Sequence, residues 1–202
     1  MLTVVIPTIT GREAMLEQTV GSFRVTVPSE HLQLIIVKDR PTIGEAWNDG
    51  AEMAEGRYIM LAADDVLMHP GWYPEACYAA DVAVYPAPRI MTTSGETFAT
   101  GSMGGGWILT TCGDRAPVAS SQFPFFTAYA WRELGPCLDI HYFADDFLAA
   151  RARSLGMAVE YRKRYALTHL EGTVGRSTVV RRSVADRAAF ETAMSSDLWR
   201  EI

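Results

Sequence analysis

Cysteines are few in this chain, and their spacing excludes two kinds of structural site. The 202 residues include three, Cys77, Cys112 and Cys137, and no two of them form a Cys-x-x-Cys motif. Such a pattern is neither a disulfide framework nor a zinc site, and it is typical of proteins in a reducing compartment. We therefore expect a cytoplasmic protein.

Long apolar runs and an excess of positive charge are lacking as well. No apolar run approaches the roughly 18 residues that a membrane-spanning helix needs. The N-terminal segment MLTVVIPT has no basic region followed by a long apolar stretch, so we expect no signal peptide. The formal net charge of −6 argues against general binding to polyanions. What is present is an ordinary globular composition, with 49% hydrophobic and 21% charged residues.

Apolar runs alternate with helical patterns through the first 65 residues. The segments LTVVIP, LQLIIVKD and RYIMLAADD are predicted strands, and GREAMLEQTVGSF and TIGEAWNDGAEMAEG are predicted helices. This alternation indicates βαβ units and a parallel sheet. The chain length suits one sizeable core better than two, so we expect a single domain over residues 1–202.

The second half of the chain is less regular. We expect a strand in DVAVYPAPRI, a strand and then a helix in FPFFTAYAWRELG, and a helix in HYFADDFLAARARSLG. A pair of strands ending in His169 follows, and then a terminal amphipathic helix over residues 184–202. That helix packs either on the body of the protein or on a second subunit, as in a homodimer. The segment TTSGETFATGSMGGGW lacks a P-loop ending and G-x-G-x-x-G spacing, so we expect a loop there.

Aspartates stand where two of the predicted strands end. Asp39 follows the second strand, and Asp64 and Asp65 follow the third. Ligands of open α/β sheets bind at the carboxyl ends of the strands, and adjacent carboxylates repel each other unless a cation lies nearby. These residues therefore indicate either a binding site or a solvated junction in which aspartate serves the turn.

A second acidic pair, Asp145 and Asp146, opens a predicted helix. Aspartate in the first turn of a helix satisfies free N–H groups and interacts favourably with the helix dipole. That structural role alone would account for the pair. A catalytic role is the alternative.

The order of the segments resembles that of the family-2 glycosyltransferases, which have the GT-A fold. The resemblance runs from about Leu2 to about Ser177 and depends on five segments in the same order. They are VVIPT, IIVKDR, AWNDGAEMAEGRYIMLAADDVLMHPGW, FFTAYAWRELGPCLDIHYFADDFLAARARSLG and YALTHLEGTVGRS. It implies an α/β, Rossmann-like fold with a mixed, mainly parallel sheet flanked by helices. It also implies a nucleotide-sugar-binding half over about residues 1–100 and an acceptor and catalytic half over about residues 101–180.

The function that the resemblance implies is transfer of a sugar from a nucleotide-diphosphate sugar, foremost a UDP-sugar, to a hydroxyl group with inversion. A divalent cation, Mn²⁺ or Mg²⁺, would be held by Asp64, Asp65 and His169, with either aspartate as the direct ligand. Asp146 would take the proton of the acceptor, and Asp145 would orient it or bind an acceptor hydroxyl. The implied contacts to the nucleotide sugar are Pro7, Thr8, Arg12, Asp39, Asn48, Asp64, Arg176 and Ser177.

The acceptor and two other functions stay open at this point. The acceptor is a glycan, a lipid-linked sugar, a protein, a small molecule or a modified nucleic acid. Three positions depart from the family pattern: Ala62 replaces an aspartate, Asp145 replaces a glutamate, and Lys38-Asp39-Arg40 replaces Asp-Asp-Gly. Ala62 supports the alternative of a catalytically silent module that binds a nucleotide sugar. A nucleotidyltransferase is less favoured, because TITGRE offers only Gly11 and Arg12 where that class has a glycine-rich loop with an Arg-Lys pair.

Overall fold

The computed structural model describes residues 1–91, 93–95, 122–170 and 176–195, with the side chains of residues 176–183 left out. The strands of this part are β1 (Leu2–Thr8), β2 (Leu32–Lys38), β3 (Tyr58–Leu61), β4 (Val66–Met68), β5 (Val84–Met91), β6 (Phe125–Thr127) and β7 (Ala158–His169). Its helices are α1 (Glu13–Thr26), α2 (Ile43–Glu52), α3 (Trp72–Asp81), α4 (Ala128–Leu134), α5 (Ala144–Ser154) and α6 (Arg176–Ser195), and Ser29–His31 forms a 3₁₀ turn.

The strands form two sheets that combine parallel and antiparallel pairs. The first sheet has the order β2-β1-β3-β6, in which β1 runs parallel to β2 and β3, and β6 runs antiparallel to β3. The second sheet has the order β4-β7-β5, in which β7 runs parallel to β5 and antiparallel to β4. The predicted mixed, mainly parallel sheet flanked by helices is confirmed.

Successive side chains of β1 and β3 belong in turn to two hydrophobic clusters. Val4 and Met60 belong to one cluster, and Val5 and Leu61 belong to the other. Successive side chains of a strand point to opposite faces, so both faces of the first sheet are covered. This double burial explains why the two strands are predominantly apolar.

Helices cover the two faces of the first sheet. On one face, the cluster includes Phe23 of α1 and Trp72 of α3, whose rings meet edge to face at 5.8 Å. On the other face, it includes Trp47 of α2 and the α5 residues Phe147 and Leu148. The result is a three-layer arrangement with the sheet between two layers of helices.

Three details differ from the sequence prediction or lie outside the described residues. The predicted pair of strands before His169 is wrong, because residues 158–169 form the single strand β7. The terminal helix α6 already begins at Arg176. The predicted glycine-rich loop lies outside the described residues except for residues 93–95, and residues 196–202 of the predicted terminal helix also lie outside them. No helix in the described part has the length and hydropathy of a membrane span.

Candidate functional site

The carboxyl ends of β1, β2 and β3 lie side by side and carry polar residues. The N–H of Asp39, just past β2, donates to the carbonyl of Thr8 at the end of β1 (2.9 Å). The N–H of Ala62, just past β3, donates to the carbonyl of Val5 (2.9 Å). Parallel strands present their carboxyl ends at one edge, so the loops after them converge there.

Asp64 is a buried carboxylate held by two residues of the β1–α1 segment. Its Oδ2 accepts a hydrogen bond from Thr8 Oγ1 (2.6 Å) and another from Arg12 Nε (2.9 Å). The residue is only 5% exposed. A carboxylate with this little access to water needs such donors, and they fix its orientation.

Arg12 bridges the two adjacent aspartates. Its Nη2 lies 2.7 Å from Asp64 Oδ1 and 2.9 Å from Asp65 Oδ2. Burial acts to lower the pKa of Arg12, but the two carboxylates outweigh this effect and raise that pKa. The positive charge of the Arg12 guanidinium thus offsets the repulsion between the two adjacent carboxylates.

Asp65 also faces His169, which was predicted as the third metal ligand. The two strands β4 and β7 bring them together, because Val66 pairs with His169 and the N–H of Leu170 donates to the carbonyl of Asp65 (2.7 Å). His169 Nε2 lies 3.3 Å from Asp65 Oδ1. Burial acts to raise the pKa of Asp65, but His169 and Arg12 outweigh it, so the pKa is lowered.

The three predicted metal ligands, Asp64, Asp65 and His169, therefore lie in one cluster. Two carboxylates and an imidazole are a suitable donor set for Mn²⁺. Asp65 Oδ1 is a buried atom whose nearby polar group is His169 Nε2 at 3.3 Å. In the part of the chain that the structure describes, however, no three such side chains are arranged to hold a metal ion. Arg12 contacts three of the four carboxylate oxygens of Asp64 and Asp65, so a cation that used these oxygens would have to displace Arg12.

Asp39 is an exposed carboxylate held by one neighbour. Its backbone has a φ of +56°, a conformation that aspartate tolerates better than most residues. Thr10 donates to it twice, from N to Oδ1 (2.8 Å) and from Oγ1 to Oδ2 (2.9 Å). These two hydrogen bonds lower the pKa of Asp39, so the carboxylate is ionised and its free lone pairs face solvent.

The second acidic pair lies in the first turn of α5, as predicted. Asp146 is 4% exposed, whereas Asp145 is partly exposed. Burial raises the pKa of Tyr85, and the negative charges of Asp145 and, less strongly, Asp146 act in the same direction, which indicates that both lie near this ring. The preceding residue, Phe143, has a φ of +69° and caps the helix without a side-chain hydrogen bond.

The two acidic pairs are carried by different elements. Asp64 and Asp65 follow β3 in the first sheet, whereas Asp145 and Asp146 open α5. After α5 the N–H of Met157 donates to the carbonyl of Ala152 (2.9 Å), and the chain then enters β7.

Asn48, predicted to contact the nucleotide sugar, is hydrogen-bonded to the loop before α5. Its Nδ2 donates to the carbonyl of Cys137 (3.0 Å), and its Oδ1 accepts from the N–H of the same residue (2.8 Å). Its Nδ2 also donates to Asp139 Oδ1 (3.2 Å). Both ends of the amide are thus engaged by the loop before α5. Asn48 therefore fixes that loop, and its contact with the nucleotide sugar stays a prediction.

Three other predicted nucleotide contacts are placed as follows. Pro7 lies in β1 beside Thr8, where it pairs with Val37. Arg176 and Ser177 begin α6, and their side chains lie outside the described part of the structure.

The terminal helix supports the loop before α5, a role that the sequence did not indicate. Asp186 Oδ2 accepts from the N–H groups of His141 (3.0 Å) and Tyr142 (2.8 Å). The Phe190 ring stacks on that of Phe143 with centroids 5.7 Å apart, and Phe190 is 3% exposed. Of the two predicted alternatives, packing on the body of the protein is confirmed. The apolar face of the helix was a signal for this packing, whereas Asp186 gave none.

Comparisons with known proteins identify the fold. No protein-family model and no curated protein sequence matches the chain. Among solved structures, TarS of S. aureus matches with a TM-score of 0.63 and 10% identity, covering 84% of this chain and 36% of that one. A structure of TarS residues 1–349 has the same score and identity, and this chain covers 60% of it.

GalNAc-T7, solved with UDP, GalNAc and Mn²⁺, matches with a TM-score of 0.65 and 13% identity. The match covers 84% of this chain and 44% of that one. The chain thus spans less than two thirds of the length of each of these structures. The neighbours are GT-A glycosyltransferases, and at these identities the likeness shows that the chain has the GT-A fold.

Proposed function

We propose that the chain is an inverting glycosyltransferase that moves a sugar from a nucleotide-diphosphate sugar, foremost a UDP-sugar, to a hydroxyl group. The observation that carries this proposal is the cluster of Asp64, Asp65 and His169 at the carboxyl edge of a GT-A sheet. Ligands of such sheets bind at that edge. The acceptor stays open among the classes given by the sequence. The cytoplasm is the proposed location, because Cys77 and Cys137 are free thiols.

The donor is proposed to lie across the ends of β1, β2 and β3. The exposed carboxylate of Asp39 accepts the N3–H of uracil, and Thr10 keeps it ionised and oriented for this contact. Thr8 and Arg12 lie next to the position proposed for the diphosphate, with Pro7 behind them. Arg176 and Ser177, at the start of α6, are kept as proposed phosphate contacts.

Asp64, Asp65 and His169 are proposed to hold a divalent cation. When bound, Mn²⁺ or Mg²⁺ neutralises the negative charge that develops on a diphosphate leaving group. Thr8 keeps the Asp64 carboxylate in one orientation, and the pairing of β4 with β7 keeps His169 beside Asp65. The Mn²⁺ in the GalNAc-T7 structure supports the proposal by analogy of fold.

The acidic pair of α5 is proposed to activate the acceptor. A sugar hydroxyl is weakly acidic, so a positioned carboxylate must take its proton as the bond to the anomeric carbon forms. By the resemblance, Asp146 is this base, and Asp145 orients it or binds an acceptor hydroxyl.

Hydrolysis of a UDP-sugar with Mn²⁺ tests the base, because water then takes the place of the acceptor. We expect Asp146→Asn to lower kcat by about 10²- to 10⁴-fold with little change in the KM for the donor. Asp145→Asn should have a smaller effect. Asp81→Asn is the control, since Asp81 pairs with Arg57 (2.7 Å) at the amino edge of the sheet. A wild-type rate in Asp146→Asn would exclude Asp146 as the base.

A silent nucleotide-sugar-binding module is the second candidate. Ala62, which replaces a family aspartate, is fully buried, and its carbonyl accepts a hydrogen bond from Trp47 Nε1 (2.8 Å). The carboxylate that the resemblance leads one to expect is therefore not supplied at this position. Tight UDP binding without turnover of any UDP-sugar would favour this candidate over the transferase.

A further inference from the structure

We propose that Arg12 and a divalent cation compete for the same carboxylate oxygens, so that Arg12 is an exchangeable counter-ion of the acidic pair. In this proposal the cation binds tightly only when a diphosphate gives Arg12 another anionic partner. The second part rests on the proposed function, whereas the competition itself concerns only Arg12, Asp64 and Asp65.

The geometry of the bridge shows what a cation would have to displace. Two nitrogens of Arg12 contact three of the four oxygens of the acidic pair, at 2.7, 2.9 and 2.9 Å. The fourth oxygen, Asp65 Oδ1, is buried and faces His169. An ion that bound both carboxylates would therefore meet Arg12 on the accessible side of the pair.

Charge makes simultaneous occupation unfavourable. The acidic pair carries a charge of −2, and the guanidinium reduces the sum to −1. Two cations a few ångströms apart in a partly buried site repel each other strongly. Without another anion, a metal ion would have to break charge-assisted hydrogen bonds and leave Arg12 without a partner. A diphosphate beside the pair removes that cost, because a guanidinium binds phosphate oxygens well.

The position of Arg12 allows the exchange without disturbance of the core. Arg12 directly precedes α1 and follows Gly11, which is exposed and has a φ of +93°. The Arg12 side chain is 16% exposed. Rotation about its side-chain torsions is sufficient to move the guanidinium from the carboxylates toward solvent or a bound phosphate. Metal and diphosphate binding should therefore be cooperative, with Arg12 as the coupling residue.

Mn²⁺ binding to the nucleotide-free protein, measured by electron paramagnetic resonance, tests the competition. We expect Arg12→Gln to bind Mn²⁺ about tenfold more tightly than the wild type, since it removes the competing charge. Arg57→Gln is the matched control, because Arg57 also makes a 2.7 Å ion pair with an aspartate, but at the opposite edge. Its Mn²⁺ affinity should equal that of the wild type. Equal affinity in Arg12→Gln and the wild type would overturn the proposal.

The same titration with saturating UDP tests the coupling. UDP should raise the Mn²⁺ affinity of the wild type by a larger factor than that of Arg12→Gln. An equal factor in the two proteins would refute the exchange onto the diphosphate. If no variant binds UDP and Arg12→Gln still binds Mn²⁺ more tightly, the competition is supported and the proposed donor is refuted.

A second variant covers the case in which Arg12→Gln fails to fold. Arg12→Lys keeps the charge but replaces the planar fork by a single ammonium group, which holds the two carboxylates less well. Its Mn²⁺ affinity should lie between those of the wild type and Arg12→Gln, or above that of the wild type if the glutamine variant does not fold. An affinity at or below the wild-type value would again overturn the proposal.

Discussion

Single side chains of the carboxyl edge hold one another in place through shared contacts. Asp64 accepts from Thr8 and Arg12, Asp65 lies between Arg12 and His169, and together these residues form one chain of contacts. The lowered pKa of Asp65 follows from its two partners, since burial alone would raise it. The acidic pair is therefore a network whose members cannot be replaced independently.

The lowered pKa of the single residue His69 predicts how the stability of the protein depends on pH. Its Nε2 forms a hydrogen bond with Thr168 Oγ1 (2.8 Å), and burial together with Arg89 lowers its pKa from 6.5. The unfolded chain then binds a proton more readily than the folded one. The contribution of His69 to stability is therefore present above pH 6.5 and is lost as the pH falls through the lower, folded-state pKa.

Urea unfolding at a series of pH values between about 7.5 and 5 checks this expectation. His69→Gln should show a weaker loss of unfolding free energy on acidification than the wild type. His31→Gln, at an exposed position, should lose stability as the wild type does. Identical pH dependence in His69→Gln and the wild type would be incompatible with a lowered pKa of His69.

Among the elements, those with a strong periodic pattern were predictable and those set by distant contacts were not. The buried strands β1 and β3 and the helices α1 and α2 follow from apolar patterns in the sequence. The acidic residues at the strand ends could be found because the apolar patterns also show where the strands end. By contrast, Arg12 is 52 residues from Asp64, and Asn48 is 89 residues from Cys137. No local pattern records such pairings, so the roles of Arg12 as a bridge and of Asn48 as a loop anchor needed the fold.

The start of α2 offers a prediction at the level of an element. A Cβ placed on Gly44 would lie 1.8 Å from the backbone carbonyl oxygen of Leu138, in the loop that Asn48 also holds. We expect Gly44→Ala to lower the free energy of unfolding by about 1–3 kcal/mol, because backbone has to move to admit the methyl group.

Gly21→Ala is the matched comparison, since its Cβ would meet no atom within 4 Å. In the interior of α1 this change should stabilise the protein by about 0.5–1 kcal/mol. Urea unfolding of both variants measures the difference. Equal effects of the two substitutions would show that α2 and the Leu138 loop are not in close contact.

At the scale of the whole molecule, the three layers bring distant segments to one edge. The strand ends of the first sheet carry Asp39 and the Asp64–Asp65 pair, the second sheet supplies His169, and α5 carries Asp145 and Asp146. The terminal helix α6 stabilises the approach to α5 through Asp186 and Phe190. The resemblance found in the sequence predicted the GT-A fold, and the structural neighbours confirm it.

The most direct test of the account is thermal unfolding of the wild type and Asp64→Asn with UDP and Mn²⁺. At a ligand concentration about 100 times Kd, binding adds about 2.7 kcal/mol to the stability of the folded state, which corresponds to a rise in Tm of roughly 5–10 °C for a chain of this size. We expect this rise in the wild type and in the Arg57→Gln control, and its loss in Asp64→Asn. No rise in the wild type, or an equal rise in Asp64→Asn, would contradict the assignment of the acidic edge to a nucleotide diphosphate.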